Sequence, residues 1–369
     1  MDGTQQRQSS VDPVLAGAVA AAAAAIARLD EALAAHPLRP AVLHRARIEA
    51  VRRQAAVDGR LIDPWHLAAV LEGLRLRMDG ALRLIDRGAV LDAARHALAL
   101  HGWLAAPDRD AEAAIRQASR QLAECDGAAG TPLLAAALGT HAWLAADGAR
   151  PPIRAALVRH WTRHRLLSMP LPLTGAAALR ADAPAAVQDW APVFLRALAE
   201  EAGDCRQMLL ELERAWLAAR TAVAGRRRDS HAAAAVDVLA AVPLLSATTL
   251  AGMLGIALKS AIRLLDELAA AGLAVEVTHR ARRRLFGLAG MAPLREAVRP
   301  PSRPEPGRGR GRPPLRPAAE TPTDPPPLPP LSPLQRQVFD YGDLQAGLAQ
   351  LDRVLRRTRR SLDALAGTA

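Results

Sequence analysis

Residues 246–268 read Ser246-Ala-Thr-Thr-Leu-Ala-Gly-Met-Leu-Gly-Ile-Ala-Leu-Lys-Ser-Ala-Ile-Arg-Leu-Leu-Asp-Glu-Leu268. Ser246 is a natural cap for a helix that begins at once, and Leu245 with Leu250 supplies the apolar pair that fixes its entry. Small Ala251 permits close approach of a second helix, and Gly255 supplies the turn. Ile256, Ala261, Leu264 and Leu268 then recur at the spacing of one inward face. Two helices joined by so short a glycine turn read as a helix-turn-helix. The outward face of the second helix carries Lys259, Ser260 and Arg263, which can contact phosphates or base edges in a major groove.

The flanks extend this pattern. Residues 233–241 predict a preceding helix that Pro243 terminates. Gly272 ends the second helix of the motif, and Leu273-Ala-Val-Glu-Val277 and Arg284-Leu-Phe-Gly-Leu288 read as two strands. Between them runs His279-Arg-Ala-Arg-Arg-Arg284. Residues 231–299 therefore predict a winged helix-turn-helix, with His279, Arg280, Arg282, Arg283 and Arg284 on a wing tip facing backbone phosphate. The bland alternative is a winged helix used for protein contacts, with a solvated basic loop.

Composition agrees with a polyanionic partner without specifying one. The 369-residue chain is 50% hydrophobic, enough for a sizeable core, and carries a net charge of +11. Lys259 is the only lysine among 48 basic residues, so the arginine excess partly reflects a compositional bias. Cys125 and Cys205, the only cysteines, support no disulfide framework and read as buried thiols in a reducing compartment. The apolar run 14–27 is flanked by Asp2 and Asp12 instead of a basic segment and is short for a bilayer span. Asp12-Pro13 opens an alanine-rich helix there, ending near His36-Pro37. A cytoplasmic protein with no membrane segment is expected.

The expected fold class is all-α: a multi-helix N-terminal domain plus the winged helix-turn-helix, a disordered Pro/Arg/Gly tether and a terminal helix. Residues 12–224 show apolar recurrence at three and four with breakers between, predicting eight or nine helices. Within them His101-Gly-Trp-Leu echoes His141-Ala-Trp-Leu, each before a turn. Neither histidine has a ligand-type residue three or four positions on, so both read as helix-end packing. Residues 300–333 hold half of the 28 prolines and read as a disordered linker. Arg310-Gly311-Arg312-Pro313 within it looks like an AT-hook core, in which Arg310 and Arg312 follow a narrow minor groove. Residues 343–366 read as an amphipathic helix whose leucines, from Leu344 to Leu365, recur by heptads. That helix is expected to pair two chains into a homodimer, dock on the body, or bind phosphate.

No Ser-His-Asp, Walker, GxGxxG or HExxH signature occurs, so neither an enzyme, a cofactor nor a metal is expected. Asp79, Asp86 and Asp92 interleave with arginines as surface ion pairs do.

Two resemblances bear on the N-terminal part. Leu166-Leu-Ser-Met-Pro-Leu-Pro-Leu-Thr174 and Trp190-Ala-Pro-Val-Phe-Leu195 resemble segments of Fic-type nucleotidyl transferases that end in a winged helix. That family's His-Pro-Phe-x-x-Gly-Asn-Gly-Arg loop would fall at His141–Arg150, where the asparagine and second glycine are missing, which implies a lost phosphate cradle. Over nearly the whole chain, the sequence is similar to an alphaproteobacterial, rhizobial family of unknown function with a C-terminal helix-turn-helix. The matching segments are 52–62, 77–81, 173–181, 277–280 and 283–287, and the similarity implies DNA binding. A transcriptional regulator-like DNA-binding protein is thus the leading expectation, its effector open. The alternatives are a residual Fic-like transferase using His141 and a protein-interaction adaptor.

Overall fold

The computed structural model describes residues 12–60, 62, 64–73, 84–127, 129–225, 230–278 and 284–291. It is predominantly helical, as the all-α expectation has it. The expected tether at 300–333, the hook at Arg310 and Arg312, and the terminal helix at 343–366 lie outside the described residues.

Among the described residues eight α-helices precede residue 224. They are α1 (Pro13–Leu33), α2 (Arg39–Val57), α3 (Pro64–Leu71), α4 (Leu84–Ala105), α5 (Arg109–Glu124), α6 (Pro132–Ala145), α7 (Arg150–Arg163) and α8 (Val187–Val223). Local chemistry sets several of their ends. Asp12, Asp108 and Thr131 accept hydrogen bonds from first-turn amides of α1, α5 and α6, so orphan N–H groups there find partners. α1 is 21 residues long with mean hydropathy 1.5, enough to cross a membrane by length and composition. Its Ala18, Ala22, Ile26, Leu29 and Leu33 stripe is buried, and α1 packs along α8.

α8 is the 37-residue spine. Pro192 in its second turn removes one donor without ending it. Trp190, Phe194, Leu195, Leu198, Cys205 and Leu209 lie on its buried side. Trp161 of α7 donates its indole N–H to Leu173 O at 2.7 Å, and Trp190 donates to Ala178 O at 2.9 Å. Both bonds pin the extended stretch after α7 and the 3-10 turn Ala176–Leu179 into the core.

After α8 come α9 (Ala232–Ala241), β1 (Leu245–Ser246), α10 (Ala247–Leu254), α11 (Leu258–Ala270), β2 (Ala274–Glu276) and β3 (Leu285–Leu288). The strands form one antiparallel sheet in the order β1-β3-β2, with Leu245 opposite Phe286 and Ala274 opposite Leu288. Leu239, Leu250, Leu265, Leu268 and Phe286 are buried in a cluster continuous with the helices before residue 224. The helical body and this C-terminal module therefore share one core.

Candidate nucleic-acid interface

The candidate surface is built on α10 and α11. The Ser246 hydroxyl accepts the Thr249 amide at 3.1 Å, capping α10. Gly255 ends it at φ +65°, a left-handed conformation that costs glycine little, and Ile256 N returns to Ala251 O at 3.1 Å. The chain then turns by 113° into α11. Ala261, Leu264, Leu265 and Leu268 are buried, which fixes the opposite face toward solvent. Lys259, Ser260 and Arg263 are all exposed on that face. Their spacing of three and four residues places them on adjoining turns of one side.

The charge on α11 is nearly balanced. Arg263, 78% exposed, stands 3.6 Å from Glu267 one turn on. Asp266 takes both ends of the Arg284 guanidinium, at 2.7 and 3.0 Å. That guanidinium also lies 5.2 Å from the Phe286 ring centroid, and the Asp266 hydrogen bond raises its pKa further. The structure therefore gives Arg284 a strut-like position between β3 and α11. The Thr278 hydroxyl bonds Glu276 and accepts the Leu285 amide at 3.1 Å, tying the two ends of the 279–283 connection together. His279, Arg280, Arg282 and Arg283 of that connection lie outside the described residues. Among the described residues of α11, two basic side chains, Lys259 and Arg263, stand against two acidic ones, Asp266 and Glu267. Apolar side chains share the surface: Met253 is 54% exposed, Leu258 48% and Ile262 39%.

No family model matches the chain, and no curated protein matches it.

Two side chains of the body, Glu72 and Arg45, make hydrogen bonds to the module. Glu72, just past α3, accepts from the Ser246 amide at 3.2 Å and from the Thr249 hydroxyl at 2.6 Å, at the start of α10. Arg45 of α2, 7% exposed, donates to Ala240 O at 2.9 Å and Leu239 O at 3.3 Å, where α9 ends. A cation suits the electronegative end of a helix. Beside it a cavity of about 380 Å³ opens between α2, α8 and the module, lined among others by Arg45, Arg53, Glu201, Cys205, Pro243 and Met291. Arg53 bonds Glu49 at 3.0 Å and Asp204 at 2.8 Å.

Glu201 is buried and accepts the amides of Thr174, Gly175 and Ala176 at 2.7, 3.1 and 2.8 Å. Burial raises its pKa against the pull of those amides and Arg53. Burial also pushes the Cys205 thiol up to about 12, which makes it inert as a nucleophile. None of these long-range roles has a local sequence signal. Arg45 looks like any basic residue of α2, and its partners lie almost two hundred positions away.

His141, the base position of the Fic-like reading, has its Nε2 2.9 Å from Ala185 O and its ring 5.4 Å from Trp190. Arg150, at the end of that stretch, donates to Asp58 at 2.9 Å, beside Arg154 and His96 on the same carboxylate. Burial opposes the charge on Asp58, but these partners, Arg154 foremost, hold its carboxyl below the usual carboxylate range.

Proposed function

We propose that this chain is a DNA-binding protein of regulatory type, in which residues 231–291 act as a winged helix-turn-helix. The observation that carries the reading is the exposed arc Lys259, Ser260 and Arg263 on α11, presented by a capped helix, a left-handed glycine and a 113° turn. The antiparallel pairing of β2 with β3, the two strands that the arginine-rich segment 279–283 joins in sequence, supports it. In this reading Lys259, Ser260 and Arg263 contact the major groove. Arg280, Arg282 and Arg283 hold phosphate, and Arg284 sets the angle of the wing. The shared core and the Arg45 contact make the helical body the support that orients the module.

The test is a gel-shift series on genomic fragments with wild type, Arg263→Ala and the triple Arg280→Ala/Arg282→Ala/Arg283→Ala variant. Loss of the wing arginines is expected to weaken binding on every fragment. It should also flatten the dependence of log K on log salt by about 0.9 for each phosphate no longer neutralised. Unchanged affinity in all variants overturns the reading. Exposed Met253, Leu258 and Ile262 favour one rival, an adaptor whose α10–α11 surface binds protein. That rival predicts negligible DNA retention and a salt-insensitive complex abolished by Leu258→Ser/Ile262→Ser.

A further inference from the structure

The ends of α5, α6 and α7 bring two histidines and an aspartate together. His160 and His164 are four residues apart at the end of α7, so both rings project from one side of the helix. Asp126 follows the α5 cap Cys125, and its Oδ2 lies 3.2 Å from His164 Nε2. The two imidazole centroids are 4.3 Å apart. One ring nitrogen from each histidine and one Asp126 oxygen lie within 4.8 Å of one another.

The hydrogen bonds around the cluster are those of a ligand set. His160 is 4% exposed, and its Nε2 is 2.9 Å from Pro132 O. A carbonyl only accepts, so Nε2 carries the proton and Nδ1 keeps the lone pair. A metal-bound histidine is oriented in the same way, its other N–H given to a backbone carbonyl. Asp126 Oδ1 is buried with no hydrogen-bond partner, and His164 Nε2 makes no well-formed hydrogen bond even to the carboxylate beside it. A plain His–Asp pair leaves that buried oxygen unpaired, which is unfavourable. A cation between the groups takes up the unused lone pairs together.

We propose that Asp126, His160 and His164 form a site for a borderline divalent transition ion, Zn²⁺ being the natural occupant. Two nitrogens and one oxygen suit Zn²⁺ and disfavour Mg²⁺ and Ca²⁺, which seek oxygen shells. Tetrahedral bonds of about 2.0–2.2 Å put ligand atoms roughly 3.3–3.5 Å apart. The His164–Asp126 pair, at 3.2 Å, already stands close to that spacing, and all three ligand atoms lie within 4.8 Å of one another. Three protein ligands leave one position for solvent, reached where His164 and Asp126 are 21% and 23% exposed. The bound ion clips the end of α5 to the end of α7, with Pro132 at the start of α6 as the outer partner.

The full-length protein, stripped with a chelator and dialysed, is titrated with Zn²⁺ against a chromophoric competitor, and separately with Co²⁺. We expect one equivalent bound, an intense four-coordinate Co²⁺ visible spectrum, and a higher melting temperature with Zn²⁺. His164→Ala and Asp126→Asn should each weaken binding roughly 100-fold or more, whereas His36→Ala should leave it unchanged. Weak six-coordinate Co²⁺ bands in the wild type, or no melting shift, overturn the proposal without recourse to a variant. Equal Zn²⁺ affinity in His160→Ala/His164→Ala overturns it as well.

Discussion

Replacing Arg45 with methionine tests whether one buried cation holds the C-terminal module to the helical body. Burial pulls its guanidinium from the ordinary value down to about 10, a cost of roughly 3 kcal/mol at about 1.4 kcal/mol per pH unit. Against this stand two charge-assisted hydrogen bonds, to Ala240 O at 2.9 Å and Leu239 O at 3.3 Å, together about 3–6 kcal/mol. The longer bond belongs at the low end of its range. Arg45 therefore contributes about 0–3 kcal/mol net. Methionine keeps most of the volume and removes the burial cost, but it strands two carbonyls at the end of α9, each worth about 1–3 kcal/mol if left dry. The adjoining cavity of about 380 Å³ admits water to them, which holds the loss to the lower part of that range.

We therefore expect Arg45→Met to lower the unfolding free energy by about 1–3 kcal/mol and the melting temperature by several degrees. Amide exchange should accelerate mainly in α9. Chemical denaturation read by circular dichroism gives the first quantity, and hydrogen exchange with mass spectrometry gives the second. A variant as stable as wild type with α9 equally protected would refute the reasoning. It would show that the burial cost outweighs both bonds and that the module is seated without help from Arg45.

Two further outcomes follow from single positions. Gly175 stands at φ +61°, and an added Cβ would lie 2.6 Å from the Phe194 ring, whereas Gly255 at φ +65° has open space around it. Gly175→Ala should cost about 2–5 kcal/mol, the sum of left-handed strain and overpacking, and Gly255→Ala only about 1–2 kcal/mol. Equal shifts in urea midpoint would remove the ring contact from the account. Burial, with His101, Arg45 and Arg47 nearby, lowers the His44 pKa to about 4. Its folded value then lies below its unfolded one, so the unfolded chain binds more protons between them. Stability should fall as pH drops from about 6.5 toward 4 and be complete above that window. His44→Gln should flatten that part of the stability–pH curve, and an unchanged slope would assign the protons elsewhere.

What the sequence determined by itself is local. Ser246 followed by an apolar stretch, Gly255 at the turn and Gly272 after the second helix place α10, α11, β2 and β3 within a residue or two, whereas β1 at Leu245–Ser246 was not foreseen, because caps, left-handed turns and periodicity act over one or two helical turns. The outward position of Lys259, Ser260 and Arg263 was legible for the same reason: burying Ala261, Leu264 and Leu268 leaves them nowhere else to face. The pair His160-x-x-x-His164 was equally readable as an i, i+4 spacing, but its third member was not, since Asp126 lies on another helix's end.

Only the tertiary structure decided that Arg45 closes α9, that Glu201 gathers the amides of Thr174, Gly175 and Ala176, and that Arg284 is tied to Asp266. Each of these joins a charged side chain to groups that are distant in sequence or set by strand register. Which distant polar group meets which depends on how the apolar faces pack, and the apolar pattern of one element does not specify the partner of the next. The core chooses the neighbours, and the buried charges are satisfied by whichever groups it brings to them.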